Sequence, residues 1–431
     1  MADDFRYWQG DASAAAQVDS MTPADVESTD VFTATLMDER GNTQSVAFTA
    51  TAATVANVTA GLSDAMNASV LSLFTRVTAA DDTTHITVTA DTAGVPFYLT
   101  STTTDGGGTD DQALVRAAVT ASSGPNDWNV AENWYSPGNA DSVPLISDDV
   151  VLDPRYGVVP ILYGLDQSAG TGGLVRTGGV EHDSFRVLAG FTAAIGGTDG
   201  AYLQFDMGSS EVFEFAGTGT AYIDIADADV DPIIRNTASA TTGNHGLYLK
   251  GTAVSDLTLL KGNIGYGVEA GDITSQVDNI VVGQVGSQAS DVALTIGTGV
   301  TGTAGAVLTL ITQNGGTVVN RAATTTLVTK HAGTYTQEDG LWTTLTQYGG
   351  IAYSDSDGTC ANTNIFGGSS VLNTRDLRTK TFTTTTIQKG GTLNDPAGRI
   401  TFTNPISLED CGLGDVTLVS GKNQTITITA V

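Results

Sequence analysis

Residues 333–412 read GTYTQEDGLWTTLTQYGG (333–350), IAYSDSDGTCANTNIFGGS (351–369), SVLNTRDLRTKTFTTTTIQKGG (370–391) and TLNDPAGRITFTNPISLEDCG (392–412). Each block joins a short polar-aliphatic stretch to a Thr-rich one. Glycine corners recur near Gly350, Gly368, Gly391 and Gly412, roughly 17 to 23 residues apart. Repeats of about 20 residues made of short strands and glycine corners are the sequence form of a parallel β-helix. One coil cannot bury its apolar face alone, so coils must stack. Working outward, the same texture runs back through Val307–Ile311, Ile280-Val281-Val282, Leu257-Thr258-Leu259, Tyr222-Ile223-Asp224-Ile225, Val212–Phe215 and Leu203-Gln204-Phe205. It runs forward to the alternating end Thr425–Thr429. Residues 161–431 are therefore expected to be a parallel right-handed β-helix, a β-solenoid, with no long helix.

Composition fits that expectation. Charged residues make up only 15% of the 431, and the abundant Thr, Ala and Gly suit strands with tight corners. The charge is unbalanced, with 47 acidic against 18 basic residues and a net charge of −29. Such a surface repels nucleic acid and anionic membranes, so neither is expected as a partner. Cys360 and Cys411 have no ligand-like neighbours and predict two buried free thiols rather than a disulfide or metal site. The start, MADDFRYWQGD, carries acids where a signal peptide needs bases. No apolar run approaches the ~20 residues of a membrane span. The expectation is a chain folded in a cytoplasm, with no cofactor.

Ahead of the solenoid the chain changes character. Residues 1–29 read as an N-terminal arm whose aromatics Phe5, Tyr7 and Trp8 either tuck against their own domain or, as candidate docking contacts, meet a neighbouring subunit. Residues 30–120 predict a small α+β module. Val31–Leu36 and Ser45–Thr49 form a hairpin, Thr54 caps a helix carrying Val55, Val58, Leu62 and Met66 on one face, and strands follow at His85–Ala90 and Pro96–Ser101. Gln112–Thr120 is expected to close one mixed sheet. The triple glycine at 106–108 lacks a following Lys and is flanked by acids, so it is not a phosphate loop. Residues 121–160 read as a linker and cap, in which Trp128 and Trp134 plug the open end of the solenoid.

Candidate chemistry is thin. Asp224, Asp227, Asp229 and Asp231 could array carboxylates along one strand face, as glycan-cleaving enzymes do. Only Tyr222 and Arg235 stand near as partners, so an exposed solubilising strand is the better reading. As a calcium loop the stretch fails, because Pro232 replaces the glycine and Ala238 the bidentate acid. Ser354-Asp355-Ser356-Asp357-Gly358 reads as an acidic corner. His85, His182, His245 and His331 are scattered, at no ligand spacing. No catalytic residue is assigned.

The segment G-P-N-D-W-N-V-A-E-N-W-Y-S-P-G…P…S-D-D-V-V-L resembles the start of β-helical regions in bacterial surface proteins and tailed-bacteriophage virion proteins. The preceding helix, T-A-A-T-V-A-N-V-T-A-G-L-S-D-A-M-N-A-S, with its flanking hairpin and T-A-D-T-A-G-V-P-F-Y-L-T strand, looks like a small module of phage structural proteins. Together they span roughly residues 30–155. The resemblance implies a non-enzymatic virion protein assembled in the host cytoplasm: a capsid decoration, cement or spike protein. It would form a homo-oligomer, a trimer by analogy, docked on the major capsid or another virion protein. The alternatives are a tail fibre or tailspike-type protein acting on a glycan, or a bacterial cell-surface adhesin.

Overall fold

A computed structural model describes residues 5–38, 41–144, 148–165, 167, 182–196, 202–205, 207–228, 230–238, 244–268, 275–284, 291–303, 305, 307–375, 377–421 and 426–430. The chain is mainly β, with long parallel sheets. It separates into two compact units, residues 1–182 with 193–206, and residues 183–192 with 207–431. The stretch expected to be a linker, 121–160, thus lies inside the first unit.

The first unit contains β1 (Phe5–Trp8), β2 (Val18–Ala24), β3 (Val31–Met37), β4 (Thr43–Thr49), α1 (Val55–Asn67), β5 (Val77–Asp81), β6 (Ile86–Ala90), β7 (Tyr98–Thr104), β8 (Ala113–Thr120), β9 (Trp134–Tyr135) and β10 (Asp149–Leu152). α1 forms where the apolar spacing placed it. The Thr54 hydroxyl accepts the Asn57 N–H at 3.3 Å, and Val58, Leu62 and Met66 are buried on one face. The expected single mixed sheet is instead two antiparallel ones, β4-β3-β7 and β5-β6-β2-β8. The cause is β2. Residues 18–24 were expected in an arm, yet β2 runs between β6 and β8 and draws both away from the hairpin. Its Met21 joins Phe32, Leu36, Val58, Leu62, Ile86, Val88 and Leu99 in one core. The other half of the expected arm, β1, pairs parallel with β10 and antiparallel with β9.

In the second unit, successive strands alternate between two parallel ladders. One runs Ser275–Val282, Leu308–Gln313, Thr324–Lys330, Leu341–Gln347, Gly358–Ile365, Lys380–Gln388, Ile406–Glu409. The other runs Gly262–Tyr266, Val292–Ile296, Thr317–Asn320, Thr334–Gln337, Gly350–Ser354, Ser370–Asn373, Thr392–Asp395, Thr417–Ser420. Leu247–Leu259 serves both, its first half pairing in the second ladder and its last residues in the first. Stacking in register builds inward columns. Leu294, Val318, Tyr335, Ala352, Leu372 and Leu393 are consecutive partners and all buried. Ile280, Ile311, Val328 and Leu345 form the facing column, which continues as buried Thr363 and Thr385.

The corners explain the glycine spacing. Gly316, Gly333 and Gly350 have φ of +70°, +78° and +72°, a backbone region that side chains disfavour. They also stack so closely that a Cβ on Gly333 would stand 2.2 Å from the Gly316 carbonyl oxygen. Gly333→Ala is therefore expected to cost about 2 kcal/mol or more, strain plus clash. Gly41→Ala, with similar φ but open space around it, should lose only about 1 kcal/mol. Urea midpoints of the two variants compare them directly, and equal losses would remove the stacking argument. Later corners follow Gly367 and Gly390, one residue before Gly368 and Gly391. Gly412 is no such corner; at φ −101° it opens a short 3-10 turn.

Candidate functional site

Two places gather functional side chains, one in each unit. In the first, alternation along β1 sends Arg6 and Trp8 inward and leaves Phe5 and Tyr7 on the other face. Trp8, Trp128 and Trp134 are all fully buried. Trp134 lies edge-on to both others, with ring centres 5.1 Å from Trp8 and 4.3 Å from Trp128. The indole N–H of Trp8 donates to the Val159 carbonyl at 2.9 Å, and that of Trp134 to the Trp128 carbonyl at 2.8 Å. Trp8 is thus core, which corrects its reading as a docking contact. Its sequence neighbours differ. Phe5 is 42% exposed, and Tyr7 stacks on Tyr156 at 4.3 Å. Burial raises the Tyr7 hydroxyl pKa, with Tyr156 and Asp153 adding to it. Arg6 pairs with Asp148 at 3.0 Å, both buried. Beside the tryptophans, burial pushes the Asp127 carboxyl up to about 6, opposed by a bond from the Asn129 N–H.

The second place is the glycine corner. The residue before each corner points inward, in one column: Val282, Gln313, Lys330, Gln347, Ile365, Ile387, Leu408. Three neighbouring members are polar and fully buried, and they share one bonding scheme. Gln313 donates to the carbonyls of Gly316 and Thr334 at 3.0 and 2.9 Å. Gln347 donates to Gly350 and Val371 at 2.6 and 3.2 Å. Lys330 does the same with an ammonium, donating to Gly333 at 2.7 Å, Gly349 at 2.7 Å and Ala332 at 3.1 Å. Each side chain ties its own glycine corner to the next coil. Burial lowers the Lys330 pKa to about 7.

The next residue along points outward. His331 and Tyr348 are exposed and stack at 5.2 Å with planes 8° apart, and Phe366 follows at 5.7 Å. Alongside runs a groove of about 410 Å³ lined by Gly315, Gly316, Gly333 and Gly350 with Thr317, Thr334, His331 and Ser369. Of these residues, the sequence had singled out Gly333 and Gly350 as corners and His331 as a scattered histidine, but not as parts of one groove. The signal was there: Q-N-G-G-T, K-H-A-G-T, Q-Y-G-G-I, I-F-G-G-S and Q-K-G-G-T begin at 313, 330, 347, 365 and 388. The repeat starts a coil before Gly333 and its fixed part is the corner, not the strands.

The acidic stretch does not form a site in what is described. Asp224 pairs with Lys250 at 3.4 Å, its register partner on the next coil. Asp231 accepts the Asp256 N–H at 3.0 Å. The Asp227 side chain and Asp229 lie outside the described residues. Asp355 is held by Arg375 at 2.6 Å, and that guanidinium lies 3.8 Å over the Tyr353 ring. His245 bonds Asn263, and His85 bonds Thr84 within its turn. Among the described residues no three His, Cys, Asp or Glu side chains gather as metal ligands. Cys360 is buried and free. Cys411 is also free but only half-buried, because its strand has ended. No known protein family, curated protein or solved structure matches the chain.

Proposed function

We propose that this chain is a non-enzymatic structural protein of a bacteriophage particle, a capsid decoration or spike. In this reading residues 161–431 are a right-handed parallel β-helix, and the first 120 residues dock it as an α+β module. One observation carries the proposal: parallel ladders link the described strands from residue 221 to 430, with inward columns buried as far as Leu408, a body whose use is mechanical. The sequence resemblance over residues 30–155 supports the particle setting.

Self-association belongs to the same reading. β8 is an edge strand, and its outward face carries Val115, Ala117 and Val119, with the two valines 59% and 62% exposed. Long edges with apolar side chains favour pairing with another chain. Light scattering of the purified protein is expected to give the mass of three chains. Val115→Lys with Val119→Lys should reduce it to one. Co-sedimentation with intact particles tests the setting, and a wild-type monomer that fails to sediment with them would sink the proposal.

A further inference from the structure

We propose that the glycine corner around Lys330 is a binding site for a small phosphate-class oxyanion, held by main-chain N–H groups in front of the buried ammonium. The first observation is the charge itself. Gln313 and Gln347 hold the neighbouring corners with neutral amides, so a corner needs a donor but not a cation. Lys330 is fully buried, and an ion in the core costs far more than an amide that makes the same bonds. A charge kept where both neighbours do without one marks a candidate functional site.

The second observation is the direction of the peptide groups. The ammonium donates to the carbonyls of Ala332, Gly333 and Gly349. Across a planar trans peptide, the N–H of the next residue points the opposite way. The N–H groups of Gly333 and Gly350 therefore point away from the ammonium, to the side of the groove that both residues line. A peptide group that accepts from a cation at one end is a stronger donor at the other. No side chain intervenes, and a Cβ on Gly350 would stand only 2.3 Å from the Lys330 nitrogen.

The third observation is that donors here lack acceptors. Among the described residues, the N–H groups of Gly315, Gly316, Ala332 and Gly333 meet none. Gly315 and Gly316 are buried, where main-chain donors are nearly always paired. Neighbouring N–H groups gathered at left-handed corners form the concavities that cradle anions. Hydroxyls of Thr317, Thr334 and Ser369 add donors, and no Asp or Glu lines the groove. The field of a chain of net charge −29 keeps large polyanions away, so the site suits a single compact anion.

Titration calorimetry of the full chain at pH 6, where the ammonium holds its proton, tests this with inorganic phosphate, glycerol 3-phosphate and glycerol. Phosphate is expected to bind once per chain with a dissociation constant of about 1 mM or below, and glycerol not at all. Tighter binding of glycerol 3-phosphate would assign the anion to a phosphate ester, and equal binding to the free ion. Lys330→Gln keeps the corner bonds and should weaken phosphate binding about tenfold or more. Thr334→Val keeps the shape without the hydroxyl and should weaken it about threefold, a second test should Lys330→Gln fail to fold. Arg378→Gln removes an exposed cation at the other corner of its coil, between Ser370–Asn373 and Lys380–Gln388, and should change nothing. Three results would each overturn the proposal: no phosphate binding to the wild type, full binding by the folded groove variants, or an equal loss in Arg378→Gln.

Discussion

Trp134→Ala is expected to destabilise the first unit by about 3–5 kcal/mol, the range for removing a fully buried large aromatic. The ring is enclosed by Trp8 and Trp128, and its indole N–H is the donor to the Trp128 carbonyl. Truncation leaves a cavity between two indoles and an acceptor without its donor, and the two losses add. Few units of this size have much more than that to lose. Phe5→Ala, on the exposed side of β1, should stay within about 0.5 kcal/mol of wild type. Urea unfolding followed by the remaining tryptophans measures both. A loss below about 1 kcal/mol for Trp134→Ala would mean that the cluster is not the centre of packing it forms in the structure.

The second large effect centres on Lys330. Lys330→Ala strips donors from one buried and two part-buried carbonyls and opens a cavity, so a loss of about 3 kcal/mol is expected. Lys330→Gln should be tolerated, because Gln313 and Gln347 already make the equivalent bonds one coil away on either side. Titration gives the sharper test. Burial lowers the folded pKa to about 7, while the unfolded side chain titrates at about 10.4. Below pH 7 both states hold the proton, and the cost of burying the charge is fully present. Between those two values the unfolded chain keeps a proton that the folded chain has released. Stability therefore rises with pH there, by at most about 1.4 kcal/mol per pH unit. The difference between wild type and Lys330→Gln should be flat below neutrality and grow in favour of wild type up to about pH 9. A difference that stays constant across that span would show that the ammonium remains charged in the core.

Sequence patterning disclosed α1, because Val58, Leu62 and Met66 repeat at helical spacing behind a capping Thr54. It disclosed the β3–β4 hairpin for the parallel reason of period-two alternation. It did not disclose β2. Val-Asp-Ser-Met-Thr-Pro-Ala contains buried Asp19 and a proline, so its central place in a sheet is decided by partners far along the chain. Trp8 illustrates the same limit. An aromatic near a chain end looks identical whether it covers a neighbour or fills its own core, and the bond to Val159 spans 151 residues. The candidate site was hidden differently. Gln, Lys and Gln at 313, 330 and 347 read as surface residues, since hydropathy cannot anticipate that corner carbonyls will satisfy them inside. The outward rings His331, Tyr348 and Phe366 come into line only once the coils are stacked.

Thr317, Thr334 and Ile351 are successive partners in one ladder, each 17 residues beyond the last. An in-frame duplication of residues 334–350 would therefore place every inward side chain over an inward side chain and every corner over a corner. The second unit would gain one strand step of about 4.8 Å. An extra residue is taken up only at a corner, as between Gln347 and Ile365, 18 apart rather than 17 and still stacked inward; within a strand it would turn the rest of that strand inside out. The gene can thus change the reach of this protein only in whole counts, as links are added to a chain, and relatives of different length should differ by complete coils.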